Sequence, residues 1–508
     1  MLKFFDLPKT VLAILFSWMF FFAELGDPDY YWHLEAGKKI LFDRAILWTD
    51  PFTYTNYGLP WIPTEWLFQV LLASFYNLLG DSGSRLFMAL LGSATLWVAY
   101  AAAKRFLKQE TLAILITLAF YALLSPFIAP RPQLISYLFF AVFLYALLDL
   151  KYFNNARLLA ALPLLMVVWV NAHGGYMVGI ALVALVTGCE WLMVWYRRYQ
   201  GEAAEPRSNL VKLTWTLALT TLASAINPEW FQHWLYPFQI LQMDASRTFI
   251  LEWQSPNFHA PVFKGYLALV LGFFVIYIYQ QRKADLTEIT LPLFFVAASF
   301  ISLRHIPLAV LTMAPFAAKA VGESGNLNQI YQRWAGRGKS LGDMEFKLNW
   351  LIVIVVVIGM AAYAPVYHAR AIDKVNKNLW FSVLPLNATE FILKAGITGH
   401  MFNTYHYGGY LIHRLYPSQR VFIDGRADMF GDDFIKEYSK IYQGDPDWEE
   451  AFNKFNIDYV ICERRAPIRQ LLLSRGDFKL VYDDKQSSVL VKNSPHFARI
   501  IQKYGLKG

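Results

Sequence analysis

Long apolar runs alternate with short polar connections over most of this chain. A helix that crosses a bilayer needs roughly 17–25 predominantly apolar residues. By that measure the pattern predicts about eleven membrane spans, at residues 8–25, 86–103, 111–128, 133–150, 157–172, 174–196, 211–226, 262–280, 286–302, 305–321 and 348–366. The further run "EWLFQVLLASFYNLLG" at 65–80 is short for a crossing and carries Glu65, so we interpret it as a helix lying in the membrane interface.

The basic residues between these runs predict the orientation of the chain. If the N-terminus is inside, every second connection should be basic. The clusters that obey this rule are Lys104/Arg105/Lys108, Lys151/Arg157, Arg197/Arg198/Arg207/Lys212, Arg282/Lys283 and Arg333/Arg337/Lys339/Lys347. The pattern therefore predicts an inside N-terminus and an outside C-terminus. Three polar segments then share the outer face: a first loop at 26–85, a second loop at 227–261, and the tail.

The tail reads as a small α/β domain. Short β-type runs occur at "RVFID" (420–424), "DYVIC" (458–462), "FKLVY" (478–482) and "SSVLV" (487–491). The helical patterns "DDFIKEYSKIY" and "WEEAFNKFN" lie between the first two runs. The predicted fold is an α-helical polytopic membrane domain at 1–366, followed by an extracytoplasmic α/β domain at 367–508.

Composition supports a membrane protein and argues against a nucleic-acid-binding one. The 508 residues are 56% hydrophobic and only 17% charged, whereas about a quarter of the residues in soluble proteins are charged. Basic residues cluster in the short loops between the apolar runs, so the net charge of +8 is interpreted as a topology signal rather than as a sign of nucleic-acid binding. Cys189 lies in an apolar run and Cys462 in the tail, so we expect no disulfide. A basic, cysteine-poor chain with short loops favours a prokaryotic plasma membrane.

Four polar side chains that could carry chemistry follow the first span directly: Asp27, Asp29, His33 and Glu35. Carboxylates at the end of a span are costly unless they are used. An Asp-x-Asp pair can hold Mg²⁺ or Mn²⁺ through hard oxygen ligands, or can act as a general base. The alternative is that Asp27 and Asp29 cap the helix that begins near Tyr30.

Several segments resemble one family of membrane enzymes. The segment "GDPDYYWHLEAGKKIL…WTDPFTYTNYGLP" resembles the first outer loop of the GT-C superfamily of glycosyltransferases, especially the catalytic subunit of oligosaccharyltransferases. "LASFYNLLGDSGSRLFMALLGSATLWVAYAAAKRF" is similar to protein O-mannosyltransferases of the same superfamily. In the family's order there follow "VNAHGGYMVG", "LEWQSP", "SLRHIPLAVLTMAPFAA" and "NTYHYGGYLIHRLYPSQRVFIDGRADM". The resemblance extends over residues 24–429.

The resemblance implies an activity and roles for particular residues. A sugar or glycan would pass, with inversion, from a polyprenyl phosphate or diphosphate carrier in the lipid bilayer to an acceptor glycan, lipid or protein. Transfer would take place on the outer, periplasmic face. The implied catalytic residues and Mg²⁺ or Mn²⁺ ligands are Asp27, Asp29 and Glu252. Arg304 and Arg131 would bind the donor phosphate, and the implied substrate-binding residues are His33, Glu35, Asn171, His173 and Tyr405.

Each of these residues also has a purely structural interpretation. Glu252 could form a cap or a salt bridge, Arg304 could extend towards the interface, and Arg131 could fix a tight turn. His173 could bond backbone carbonyls, and His33 and Tyr405 could serve packing. Asp424, Arg426 and Asp428 follow a predicted strand, a usual place for ligand groups in α/β domains, but they could equally form an ion-pair cluster.

The sequence also departs from the family's pattern. "FIAPRPQL" (127–134) lacks the acidic residue that the family carries there, which argues against a metal. The family's tryptophans are absent near Tyr405, which argues against asparagine-linked transfer to protein. Two rival functions stay open: a non-enzymatic transporter or assembly factor for a lipid carrier, and a polysaccharide ligase or polymerase.

Overall fold

The computed structural model describes residues 7–22, 25–62, 64–201, 207–243, 251–279, 283–324 and 384–506, with positions 351, 354–355 and 358–359. Most of the predicted span 348–366, and the predicted domain boundary at 366/367, lie outside the described residues. The chain divides into two compact units. We call them the membrane unit (Met1–Ala23, Ser82–Leu241 and Arg247–Ala364) and the loop–tail unit (Glu24–Asp81, Gln242–Ser246 and Pro365–Gly508).

Helices dominate the described part of the chain before residue 325. Their bounds are α1 Leu7–Phe22, α2 Pro28–Asp43, α3 Trp66–Leu79, α4 Asp81–Phe106, α5 Glu110–Leu124, α6 Gln133–Phe153, α7 Leu162–Ala172, α8 Met177–Tyr199, α9 Arg207–Ala223, α10 Tyr236–Gln242, α11 Pro261–Tyr279, α12 Leu286–Ile301 and α13 Ile306–Glu323. Short 3₁₀ turns, among them Gly174–Tyr176, Leu251–Trp253 and Leu303–His305, precede several of these helices.

The membrane unit has the apolar helices that an integral membrane protein requires. Within the described ranges, five segments are long and apolar enough to cross a bilayer: Asp81–Phe106, Gln133–Phe153, Gly174–Tyr199, Pro261–Tyr279 and Leu303–Glu323. Shorter apolar helices include Glu110–Leu124, Leu159–Ala172 and Leu286–Ile301. The protein is therefore an integral membrane protein, as the sequence predicts. The count of eleven spans and the orientation stay predictions.

Charged side chains meet where α6, α8, α12 and α13 pack, and two of them, Glu288 and Lys319, are buried. We call this group the buried ion network: Lys151, Glu190, Asp285, Glu288, Lys319 and Glu323. Lys319 lies 3.3 Å from Glu288 and 2.6 Å from Glu323. Lys151 contacts Glu190 and lies 3.6 Å from Asp285. Buried charges are tolerated only when they are paired, and the network pairs both lysines.

The loop–tail unit contains a four-stranded sheet. Its strands are β1 Met401–Asn403, β2 Tyr459–Glu463, β3 Phe478–Asp483 and β4 Ser487–Lys492, in the order β1-β2-β4-β3. β1 and β2 are parallel, and the other two pairs are antiparallel. The helices of the tail are α14 Leu386–Ala395, α15 Gly408–Leu415, α16 Ala427–Gln443, α17 Trp448–Lys454, α18 Pro467–Arg475 and α19 Ala498–Tyr504.

The first outer loop folds as part of this same unit. Trp32 and Ile40 of α2 share one apolar core with Leu411 of α15 and Tyr459 of β2. Close backbone approach holds α2 in place: a Cβ at Gly37 would lie 2.0 Å from the carbonyl oxygen of Gln69 in α3. Only glycine fits at that contact.

Most of the secondary structure predicted for the tail is confirmed. β2, β3 and β4 coincide with three of the four predicted strands, and α16 and α17 contain both predicted helices. The predicted strand at 420–424 is wrong, because only Val421 forms a bridge, with Thr53. The side-chain oxygen of Asn403 accepts hydrogen bonds from the backbone N–H groups of Phe422 and Ile423, at 2.8 and 3.4 Å. A side chain therefore takes the place of a neighbouring strand.

Candidate active site

Three charged residues that are distant in sequence meet in the membrane unit. Arg131 lies in the turn before α6, Glu252 in the 3₁₀ turn Leu251–Trp253, and Arg304 in the 3₁₀ turn before α13. Arg131 Nη1 donates to Glu252 Oε1 at 2.5 Å, and Arg304 Nε donates to Glu252 Oε2 at 3.0 Å. We call these three residues the arginine–glutamate cluster. Of the residues predicted from the sequence, the structure brings both phosphate-binding arginines to one predicted catalytic carboxylate.

Neighbouring groups fix the geometry of the cluster. The Arg304 guanidinium stacks on the Trp253 ring, 4.5 Å from its centroid. Ser302 Oγ donates to the backbone oxygen of Glu252 at 2.9 Å, and the N–H of Leu303 donates to the backbone oxygen of Gln254 at 3.1 Å. The second outer loop is therefore hydrogen-bonded to the connection between α12 and α13. Arg304 is oriented from two sides, by a ring and by a carboxylate.

The cluster carries an excess of positive charge. Burial raises the pKa of Glu252, but Arg131 and then Arg304 lower it more, so the pKa lies below its ordinary value. Glu252 is therefore ionised at neutral pH, and two positive charges face one negative charge. The Glu252 and Arg304 side chains are 35% and 34% exposed, so solvent and a ligand can reach both. This arrangement is suited to binding an anion.

His173 lies in the connection between α7 and α8. Its Nδ1 is 2.6 Å from Ser136 Oγ and accepts the N–H of Gly175 at 3.2 Å. Trp169 Nε1 donates to the same Ser136 Oγ at 2.6 Å. Burial, followed by the charge of Arg304, lowers the pKa of His173 to about 3. The His173 ring is therefore neutral and close enough to the arginine–glutamate cluster to feel its charge.

Asn171, two residues earlier, has a structural environment. Its Nδ2 donates to the backbone oxygens of Val167 and Ile226, both at 2.8 Å. The side chain is 7% exposed and holds the end of α7 to the segment after α9. A role in substrate binding stays a prediction for this residue.

The aspartates of the first loop lie in the loop–tail unit, around the start of α2. Asp27 is its N-cap, and Asp27 Oδ1 accepts the N–H of Asp29 at 2.9 Å. Asp29 Oδ1 accepts the indole N–H of Trp32 at 3.1 Å. Asp27 therefore caps helix α2, as the structural alternative predicts. A catalytic role for Asp27 stays a prediction.

The other predicted residues of this unit are also engaged in contacts. His33 is buried, and its Nδ1 is 3.3 Å from Gln69 Nε2. Glu35 Oε1 lies 2.7 Å from His413 Nδ1 and 2.8 Å from Lys38 Nζ. Burial raises the pKa of Glu35, but the hydrogen bonds from His413 and Lys38 bring it below its ordinary value. The backbone N–H of Tyr405 donates to the Tyr438 hydroxyl at 2.7 Å.

A buried arginine in the loop–tail unit joins Asp424, with which the sequence analysis grouped it, to Asp50 of the first outer loop. Arg426 is 1% exposed, and its Nη2 lies 2.5 Å from Asp424 and 2.8 Å from Asp50. Its guanidinium also stacks 4.6 Å from the Trp61 ring. The two carboxylates raise the pKa of Arg426 although burial lowers it. Asp50 lies in the quoted segment "WTDPFTY", so the signal was present, but the sequence could not show its partner.

Two buried polar atoms that the sequence did not indicate belong to residues close in sequence to Arg131 and Arg304. Gln133 Oε1 and His305 Nδ1 are buried and have no hydrogen-bond partner within the described part of the chain. Gln133 is two residues from Arg131, and His305 is adjacent to Arg304. Buried polar atoms normally have partners, so these two atoms are acceptors or donors that a ligand could satisfy.

The surroundings of the residues predicted to hold Mg²⁺ or Mn²⁺ show whether a cation would fit there. No group of three or more His, Cys, Asp or Glu side chains among the described residues is placed to hold a metal ion. Each Glu252 carboxylate oxygen already accepts from a guanidinium, and a divalent cation there would face two positive charges. Glu252 therefore does not fit as a metal ligand in this arrangement. Metal binding by Asp27 and Asp29 stays a prediction. The proposed transfer reaction does not depend on a metal.

Comparison with known proteins places the fold. No protein-family model and no curated protein sequence matches the chain. Solved structures do: the Archaeoglobus fulgidus oligosaccharyltransferase with a tethered acceptor peptide is 12% identical, with TM-score 0.57 over 97% of this chain and 74% of that one. The archaeal oligosaccharyltransferase AglB, in complex with an inhibitory peptide and a dolichol-phosphate, is 13% identical, with TM-score 0.54 over 91% and 69%. ArnT from Cupriavidus metallidurans in the apo state is 15% identical, with TM-score 0.50 over 95% and 96%.

These neighbours are GT-C glycosyltransferases, and the chain shares their fold. The fold that the sequence resemblance implied is therefore confirmed. The low identities show the fold alone.

Proposed function

We propose that this protein is a membrane glycosyltransferase that takes a sugar or glycan from a polyprenyl phosphate or diphosphate carrier. The observation that carries the proposal is the convergence of Arg131 and Arg304 on one acidic group. Guanidinium groups bind phosphate through paired N–H donors. The GT-C fold supports the same chemistry, since structural neighbours are named as complexes with dolichol-phosphate or an acceptor peptide.

In this proposal the arginines bind and neutralise the leaving phosphate. A phosphate leaving group gains negative charge as the bond to the sugar breaks, and preorganised cations stabilise that charge most in the transition state. Arg304 is held by Trp253 and Glu252 before any ligand arrives. Such preorganisation lowers the cost of ordering a long side chain during the reaction.

Glu252 is the positioning residue of the cluster. Its carboxylate holds both guanidinium groups and occupies N–H donors that a phosphate would use. Binding of the donor then exchanges one acidic partner for another. This role differs from the metal ligand that the family resemblance implied.

The acceptor side of the proposal rests on the sequence. Asp27 or Asp29 would orient or deprotonate the acceptor hydroxyl, and His33, Glu35 and Tyr405 would contact substrate. Transfer would proceed with inversion on the outer face of a prokaryotic plasma membrane. The acceptor is a glycan, a lipid or a protein, and loss of the family's tryptophans argues against asparagine-linked transfer.

The test is binding of the lipid carrier by the purified full-length protein in nanodiscs. Undecaprenyl phosphate and undecaprenyl diphosphate are titrated against wild type, Arg304→Ala and Arg131→Ala, with and without Mn²⁺. We expect saturable binding that each substitution weakens by roughly tenfold or more, since each removes a charge-assisted hydrogen bond. Arg198→Ala, an exposed arginine of α8, is the matched control and should bind as wild type does.

Some outcomes would contradict the donor assignment, and others would favour an alternative function. If neither lipid binds, or if both arginine variants bind as tightly as Arg198→Ala, the donor assignment is wrong. Movement of the carrier across the bilayer without any transfer of sugar would favour the transporter alternative. A product lengthened by whole repeat units would favour the polymerase.

A further inference from the structure

The hydrogen bonds around His173 define which ring nitrogen carries the proton. The indole N–H of Trp169 can only donate, so Ser136 Oγ is its acceptor. The backbone N–H of Gly175 can only donate, so His173 Nδ1 accepts it and carries no proton. Ser136 Oγ lies 2.6 Å from the same Nδ1, so the Ser136 hydroxyl is the donor in that contact. A neutral ring must therefore carry its proton on Nε2.

Two glycines leave the space that these hydrogen-bonded side chains need. A Cβ at Gly175 would lie 2.7 Å from His173 Nδ1, and a Cβ at Gly179 would lie 2.5 Å from the Trp169 ring. Both distances are shorter than the contacts that Cβ atoms make in proteins. Gly175 and Gly179 therefore allow the His173 imidazole and the Trp169 indole to pack directly against the backbone at these two positions.

The remaining proton, on Nε2, has no acceptor within the part of the chain that the structure describes. His173 Nε2 has no hydrogen-bond partner among the described residues, and the side chain is half-buried rather than enclosed. The ring interacts electrostatically with Arg304 and Glu252 of the arginine–glutamate cluster. A fixed, unused N–H beside an anion-binding cluster is a preorganised donor.

We propose that His173 donates a hydrogen bond through Nε2–H to a phosphate oxygen of the lipid carrier, and that Trp169 and Ser136 hold the ring in the tautomer that makes this possible. The inference rests on the proposed function and deepens it. It assigns to His173 the role of a neutral donor. Because Nδ1 is already occupied and Nε2 is protonated, the ring has no free lone pair with which to act as a general base.

Paired substitutions separate this role from a structural one. The amide nitrogen of glutamine lies near the position of Nε2, whereas that of asparagine lies near Nδ1. Binding of undecaprenyl phosphate is measured for His173→Gln, His173→Asn and His173→Leu in the full-length protein. We expect His173→Gln to bind within about threefold of wild type, and the other two to lose roughly tenfold or more, as removing one hydrogen bond to a charged oxygen does. The exposed His259 in the second outer loop supplies the control, His259→Leu.

An independent measurement tests the tautomer itself. Nitrogen NMR of protein labelled at histidine, compared with His173→Gln to assign the ring, should show an unprotonated Nδ1 and a protonated Nε2. Ser136→Ala should shift these signals towards the opposite tautomer and weaken binding.

Each contrary result has a separate meaning. Rescue by asparagine instead of glutamine, or a protonated Nδ1, would overturn the inference while leaving the donor assignment intact. Equal binding by all three His173 variants, with Arg304→Ala still defective, would do the same. Absence of any lipid binding by wild type would overturn both.

Discussion

Neutralising Glu252 should strengthen the binding of a lipid phosphate. In Glu252→Gln the negative charge that faces both arginines is gone, whereas Arg304 keeps its contact with Trp253. A phosphate bound by the same guanidinium groups would lie about 6 Å from the carboxylate, where two like charges repel by about 2.8 kcal/mol at an effective dielectric constant of ~20. The Glu252 side chain is 35% exposed, so screening by solvent roughly halves this energy. The remaining ~1.4 kcal/mol corresponds to about a tenfold gain in affinity.

The assay is calorimetric titration of undecaprenyl phosphate into nanodiscs that contain wild type or Glu252→Gln. Glu110→Gln makes the same change of charge elsewhere in the membrane unit and should leave the affinity unchanged. An affinity that is equal to wild type or lower would refute the reasoning, because it would mean that Glu252 does not compete with phosphate. Loss of a Mn²⁺-dependent component in the same titration would instead return Glu252 to the role of metal ligand.

Three further predictions concern the loop–tail unit. Asp27→Ala should destabilise the unit by about 1 kcal/mol through loss of the helix cap, and Asp27→Asn should keep the cap, so transfer lost in Asp27→Asn at unchanged stability identifies a chemical role. Glu35→Gln should lower the unfolding temperature at pH 7. Because the pKa of Glu35 is lowered in the folded state, this difference should be present above pH 4.5 and vanish as the pH falls through the lowered pKa. Arg426→Ala leaves Asp50 and Asp424 buried without their partner and should cost about 3–5 kcal/mol.

Thermal unfolding of the full-length protein, followed by fluorescence, measures all three effects. Equal stability of Asp27→Ala and wild type would contradict the capping role. A Glu35→Gln difference that persists unchanged below the lowered pKa would show that charge is not its cause. For Arg426, the double variant with Asp50→Asn should recover part of the loss, and no recovery would mean that the two side chains do not act as a pair.

The sequence predicted the helices well because the signal is local. An apolar run of sufficient length decides a membrane helix without reference to its neighbours, and the five long helices fall on predicted spans. The segment at 420–424 shows where local reasoning ends. Its apolar residues look like a strand, but Asn403, about twenty residues earlier, satisfies the backbone there through its side chain. No pattern within the segment announces such a partner.

The sequence predicted individual residues of the candidate site but not their arrangement in space. Glu252 and Arg304 each lie in a segment that resembles the family, and Arg131 lies between two prolines of a short connection. Yet 121 and 52 positions separate the arginines from the glutamate. Their pairing depends on how α6, α12 and α13 pack, which spacing does not encode. Ser136 was not selected at all, because a serine near the start of a span is common, and only the positions of Trp169 and His173 give it a purpose.

The buried ion network sets a limit on how the membrane unit can deform. Lys151 and Lys319 tie α6 and α13, near their C-terminal ends, to acidic residues of α8 and α12. Pulling α12 and α13 apart there would break the buried Lys319–Glu288 pair, which costs about 3–5 kcal/mol when one partner of a buried pair is lost. Arg131 and Arg304 stand at the opposite ends of α6 and α13. Any separation of α6 and α13 from their neighbours should therefore be smallest at the lysines and largest at the arginines.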